Sequence, residues 1–230
     1  ILGLLVLVLA VVRLPARVVI GFLPASVVLE GVSGTLWKGR AARAQLSVQG
    51  QNFMLGRLSW SLRPLSVLML KPTAEVKADW GRQRLSTRAV VLSTDELLLE
   101  DTRVRVGVGF IRQLMPLYVD GVLELDLTRL ELADHSLVTA RGRAVWRDAV
   151  WTARAGDVSL GDYAVDLNTG PEGIQGRVLT LGGPLQISGD AALSGRSYTV
   201  DLALTGPATQ HEGLRGSLSL LTTPSGAFGS

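Results

Sequence analysis

The rhythm of hydrophobic and polar positions changes once along this chain. Ile1 to Val12 is apolar without interruption. From Ala44 onward runs in which every second residue is apolar recur along the chain. Ala44, Leu46 and Val48 alternate with Arg43, Gln45, Ser47 and Gln49, Leu58, Trp60 and Leu62 with Ser59 and Ser61, and Ala74, Val76, Ala78 and Trp80 with Glu75, Lys77 and Asp79. A period of two with one polar face is the signature of a strand buried on one side, as in antiparallel sheets. The same alternation returns in Val104, Val106, Val108 and Phe110, and in Leu123, Leu125 and Leu127. There the phase slips, with Leu130 and Leu132 continuing on even positions, which predicts a bulge near Thr128–Arg129.

Ala144 to Trp151 reads as a strand with tryptophans at 146 and 151. Their odd spacing puts them on opposite faces of a regular strand, or on one face if a bulge intervenes. Further strands are expected around Val165, Val178, Ile187, Ala191 and Val200, with others at Leu214–Leu220 and near Phe228. Turn signals separate them at Gly170-Pro171, Gly182-Gly183-Pro184, Gly195-Arg196 and Gly206-Pro207, as in a meander. Ile111–Leu117 lacks alternation and predicts one or two helical turns before Pro116. Pro64 starts a new segment, because proline disfavours a helical conformation at Arg63. No long amphipathic helix is expected after Leu23. The fold class is therefore mainly β: a meandering antiparallel sheet, curved or sandwich-like, over residues 23–230.

Between the apolar run and the first alternating strand lies Gly31-Val32-Ser33-Gly34-Thr35-Leu36-Trp37-Lys38-Gly39-Arg40. Its glycines frame a short β-prone core, so it reads as turn, strand, turn. Trp37 is expected as the first core plug of the β domain.

The apolar run admits three readings: the C-terminal part of a transmembrane anchor, a signal-peptide core, or a buried helix. Twelve residues at 1.5 Å each span only about 18 Å of a hydrocarbon layer about 30 Å thick. A signal peptide fits poorly, because Leu14 would occupy the −3 position of the cleavage site. The anchor is the leading reading. It is assigned to residues 1–22, continuing upstream of Ile1, with Arg13 snorkelling to the interface if the helix runs through Phe22.

Composition narrows the function. The 230 residues carry a formal charge of +3 and a mean hydropathy of +0.31, with no cysteine. The arginines are scattered rather than massed with aromatics, which argues against nucleic-acid binding. Thiol chemistry and disulfides are excluded.

Catalytic motifs are not found. His135 and His211 each stand alone, without metal-ligand spacing. Ser33 lies in Gly-Val-Ser-Gly, not Gly-x-Ser-x-Gly. Gly107-Val108-Gly109 has Arg112 where a dinucleotide fingerprint needs its third glycine. The pairs Asp95-Glu96 and Glu100-Asp101 read as solvated turns rather than an acid/base pair. No catalytic, cofactor-binding or metal residue is assigned, no cofactor is expected, and an enzyme is not expected.

Several stretches together carry a resemblance: Ser33 to Gly39, Leu58-Ser59-Trp60-Ser61-Leu62-Arg63-Pro64, Gly121 to Leu127, Gly142 to Trp146, Leu160-Gly161-Asp162-Tyr163, Gly182-Gly183-Pro184-Leu185 and Tyr198 to Leu202. In this order the chain resembles the type II secretion system protein N family of Gram-negative bacteria. The resemblance implies a single-span inner-membrane protein with its bulk in the periplasm, within the machinery that exports folded proteins across the outer membrane. It implies no catalytic residues. The implied partners are other secretion components (the inner-membrane platform and the secretin) and inner-membrane lipid. A weaker similarity, resting on strand pattern alone, is to AsmA-like periplasmic proteins, which implies an open lipid-binding groove as the alternative function.

Overall fold

The computed structural model describes residues 13–23, 26–48, 51–109, 119–134, 136–153, 156–195 and 197–210. Among these residues one antiparallel sheet holds thirteen strands. They are β1 (Val27–Glu30), β2 (Ser33–Gly34), β3 (Lys38–Val48), β4 (Gln51–Leu62), β5 (Thr73–Trp80), β6 (Gln83–Val91), β7 (Glu96–Gly107), β8 (Val119–Ala133), β9 (Ser136–Ala153), β10 (Gly156–Gly170), β11 (Gly173–Gly182), β12 (Gln186–Ser194) and β13 (Ser197–Thr205). From β3 onward each strand pairs with the next in sequence, while β1 and β2 both pair with β3. The expected meander is thus a single continuous sheet. Among the described residues β1 and β13 are its unclosed ends. A short α-helix, α1 (Pro64–Leu68), links β4 to β5.

Register follows the hydrophobic pattern. One row of directly opposed residues passes from Ala41 through Leu58, Ala78, Leu85, Val104 and Leu125 to Ala144, Val165, Val178, Gly189 and Leu202. The neighbouring row on the opposite face is polar. Arg103 opposes Asp126, then come Arg143, Asp166, Arg177, Asp190 and Asp201. Slipping any strand by one residue would set apolar groups against these charges, so the two faces fix the register together. Exposed ion pairs such as Arg103–Asp126 (3.7 Å) and Arg177–Asp190 (3.4 Å) contribute little energy singly. Their value is in alignment.

The phase slip after Leu127 is real. Pairing of β8 with β9 shifts between Leu127 and Arg129, leaving Thr128 as the extra residue. Asp101 of β7, at φ 48°, stands opposite it. A second irregularity at Asp148 (φ 49°) puts Trp146 and Trp151 against one cluster, with Ala149 between them. The bulge alternative therefore holds for the two tryptophans. β7 stops at Gly107, short of the expected Phe110.

Among the described residues two clusters of buried side chains form, and Phe53, Leu98, Val106, Leu127 and Ile174 are buried outside them. The first cluster joins Leu29, Ala41, Ala44 and Trp60 to Ala16. The second joins Ala149, Leu160, Tyr163 and Leu185 to Ala208, whose 3-10 turn is Pro207–Gln210. Each cluster thus holds a residue from a short 3-10 segment. Between them, Leu85, Val104 and Leu125 are half-buried.

Ala16–Phe22 is the other 3-10 segment. Pro15 is extended (φ −68°, ψ 147°), and Leu14 accepts a hydrogen bond from Leu36 N–H at 2.8 Å. The described part of the expected anchor therefore turns at Pro15 and lies on the sheet, with Ala16 2% exposed. Residues 1–12 lie outside the described residues, as do the helical turns expected at Ile111–Leu117 and the strands expected at Leu214–Leu220 and Phe228. Among the described residues, no helix is long and apolar enough to cross a membrane.

Candidate functional site

Several of the stretches that carry the resemblance meet at the two clusters: Leu58 and Trp60 at the first, and Trp146, Leu160, Tyr163 and Leu185 at the second. Thr35 to Lys38 forms a tight turn, in which Thr35 N–H donates to the Lys38 carbonyl at 2.9 Å and Lys38 N–H to Thr35 Oγ1 at 3.2 Å. The turn presents the Leu36 carbonyl, which accepts the Trp60 indole N–H at 3.0 Å. Gly39, directly opposite Trp60, is where that ring rests. A Cβ at Gly39 would sit 2.3 Å from the indole, so any larger residue there would have to displace the ring. Trp60 is 7% exposed, so it is the plug of this corner. Trp37, expected in that role, is only half-buried. The expected order of turn, strand, turn is inverted: Ser33–Gly34 and the start of β3 at Lys38 are the strands, and Thr35 to Trp37 is the turn between them. That a tryptophan twenty-odd positions later fills the space over Gly39 was not legible in the sequence.

The second cluster is built the same way. Gly183 (φ 125°) lies so close to Gly161 that a Cβ on it would fall 2.3 Å from the Gly161 Cα. The close approach lets Leu185 N–H reach the Leu160 carbonyl at 3.1 Å and buries Leu185. The Tyr163 hydroxyl lies 2.7 Å from the Leu160 carbonyl and 2.9 Å from that of Leu185. It has one proton and two acceptors, and so ties the two segments together. Burial, with Asp162 adding to it, pushes the phenol up to about 12. Trp146 tilts against its ring at 5.9 Å between centroids.

Candidate chemical groups are engaged elsewhere. Ser33 accepts from the Arg40 guanidinium at 3.1 Å. Glu100 and Asp101 both face Arg88, at 3.6 and 3.0 Å. Asp95 accepts from Thr94 at 3.1 Å. His135 and His211 lie outside the described residues. Among the described residues, no three His, Cys, Asp or Glu side chains group as metal ligands. A cavity of about 470 Å³ opens on the polar face of β5–β9, lined by Lys77, Arg84, Arg103, Arg105, Glu124 and Asp126 among others. Its charges are largely paired, Arg105 with Glu124 at 3.0 Å and Arg84 with Asp79 at 3.9 Å. On the same face Arg143 holds Asp166 through bonds of 2.5 and 2.8 Å, which lowers the Asp166 carboxyl and raises the guanidinium.

What remains open is surface. Among the described residues β13 pairs only with β12, and its Tyr198, Val200 and Leu202 are 78, 57 and 36% exposed. On its other face Asp201 stands directly opposite Asp190. Sequence reasoning placed β13 but could not rank it as an edge, because strand order is a tertiary property.

The family described as type II secretion system, protein N, matches residues 25–228. A type II secretion system protein N of Vibrio cholerae serotype O1 is 29% identical over 231 aligned positions, covering 94% of this chain and 88% of the relative. One from Aeromonas hydrophila is 32% identical over 166, covering 68% of this chain and 64% of the relative. No solved structure matches significantly. The match spans both corner motifs and the sheet between them, and on it the chain belongs to the type II secretion system protein N family.

Proposed function

We propose that this component of the type II secretion system is a non-enzymatic scaffold, held at the inner membrane by its N-terminal apolar run, with the β domain in the periplasm. It docks other secretion components, the inner-membrane platform first and the secretin second, through a terminal strand of the sheet. The observation that carries this reading is β13, the end strand of the sheet among the described residues. An edge offers unpaired backbone groups to an incoming strand, and this edge adds exposed apolar groups on one face. On the other face the charge ladder ends in two opposed carboxylates, Asp190 and Asp201. A partner strand with alternating apolar residues and a cation level with Asp201 would extend both rows.

Affinity purification of the full chain from membranes of cells expressing the complete secretion operon tests the proposal. Secretion components should co-purify, and Val200→Lys, which places a charge on the edge, should release them while the exchange protection of β9–β11 is unchanged. Recovery of no secretion component sinks it. The lipid-groove alternative gains no support from these relatives, which are named as secretion components.

A further inference from the structure

The connection between β4 and β5 carries the most exposed apolar side chains among the described residues, apart from Tyr198. Leu65, Leu68, Met69 and Leu70 are 70, 80, 74 and 84% exposed. The segment is nevertheless firmly built. Met69 N–H reaches the Leu65 carbonyl and Leu70 N–H that of Val67, both at 3.1 Å, and Lys71 N–H that of Ser66 at 3.0 Å. The Ser66 hydroxyl donates to the Arg63 carbonyl at 2.6 Å and accepts from Thr73 N–H at 2.8 Å. Leu70 is held at φ 56°, a left-handed conformation that costs energy for a leucine. A strained, hydrogen-bonded knuckle that turns four large apolar groups to solvent is a contact surface rather than a slack loop.

Its position indicates the occupant. Arg63 follows Leu62, whose N–H donates to the Trp37 carbonyl at 2.7 Å, and the adjacent Leu36 N–H donates to the Leu14 carbonyl at 2.8 Å. Two strand spacings of about 4.8 Å therefore separate the start of α1 from the point where the chain leaves for the apolar residues 1–12. The knuckle and Leu14, which the apolar run precedes in sequence, share one end of the sheet. Lys71 and Arg63 flank the apolar tip, the arrangement of groups that rest in a lipid interface with cations at headgroup level.

We infer that α1 and residues 69–70 dip into the surface of the same bilayer that receives residues 1–12, giving the β domain a second membrane contact. The inference rests on the anchor reading above. Two attachment points hold the first strands at a set height and orientation over the lipid, which a single tether cannot do. The β13 edge is then directed away along the sheet.

Because the chain has no cysteine, a single Leu68→Cys in the full chain can carry an environment-sensitive fluorophore without background labelling. The protein is reconstituted into phosphatidylethanolamine–phosphatidylglycerol vesicles and floated. The expected result is co-flotation, a blue-shifted label at position 68 quenched by spin-labelled lipid, and a water-like label at Arg82→Cys, in the turn at the opposite end of the sheet. In a Leu65→Cys reporter, adding Leu68→Asp and Met69→Asp should abolish the shift without altering the circular dichroism. A water-like label at position 68 on a protein that floats overturns the tip contact alone. Failure to float overturns the anchor and the tip contact with it. A shift at position 68 that arises only when other secretion proteins are added overturns the lipid assignment and makes the knuckle a protein contact.

Discussion

Gly39 and Trp60 make a quantitative test of how the first corner is held. Trp60 is 7% exposed and its indole N–H is bonded to the Leu36 carbonyl. Trp60→Ala removes that bond and a large buried ring, with an expected loss of about 3–5 kcal/mol. Gly39→Ala adds only a methyl group, but one 2.3 Å from the indole, so the ring must shift, at about 1–3 kcal/mol. Gly39 has no left-handed φ, so backbone strain does not enter and the whole cost lies in space. If so, Gly39→Ala costs almost nothing once the ring is gone. The double variant should match Trp60→Ala alone, giving a coupling of about 1–3 kcal/mol. Hydrogen exchange of β3 and β4 amides is the suitable assay, because a long meander of neighbour contacts need not unfold as one unit. Additive losses, within about 0.5 kcal/mol, would refute the claim that Gly39 is glycine to seat Trp60.

Four further outcomes follow from the same geometry. Trp37→Ala should cost distinctly less than Trp60→Ala, about 1–2 kcal/mol for a half-buried ring, by the same exchange measurement. Tyr163→Phe should lose about 1–2 kcal/mol by leaving buried carbonyls without their donor, loosening β10 and leaving β3–β4 protection intact. The raised Tyr163 phenol means the folded state binds that proton more tightly. This stability is complete below pH 10 and is lost as pH rises toward 12, so alkaline titration should open the second cluster first and Tyr163→Phe should blunt the effect. Asp166 has the opposite sign: its lowered carboxyl gives stability above the ordinary carboxylate range that is lost as pH falls through the folded-state value, and Asp166→Asn should remove that acid dependence.

The sequence alone determined what short-range physics controls. Alternation identified the strands, because a half-buried strand must repeat every two residues. The slip between Leu127 and Leu130 located a bulge, because one extra residue inverts the faces. Glycine-framed stretches marked the family, and no constellation of reactive residues suggested chemistry. The tertiary structure decided the rest. It chose Trp60 over Trp37 as the buried ring, since only the β3–β4 register puts an indole over Gly39. It brought Gly183 onto Gly161 and so gave Tyr163 its two carbonyls, a meeting of segments about twenty residues apart that no local pattern encodes. It turned the chain at Pro15 where continuous apolar sequence had suggested a helix through Phe22, because Ala16 and Val19 gain more by covering the first corner. Among the described residues it also left β13 and the Leu65–Leu70 knuckle exposed, and exposure is settled only when every other surface has found its partner.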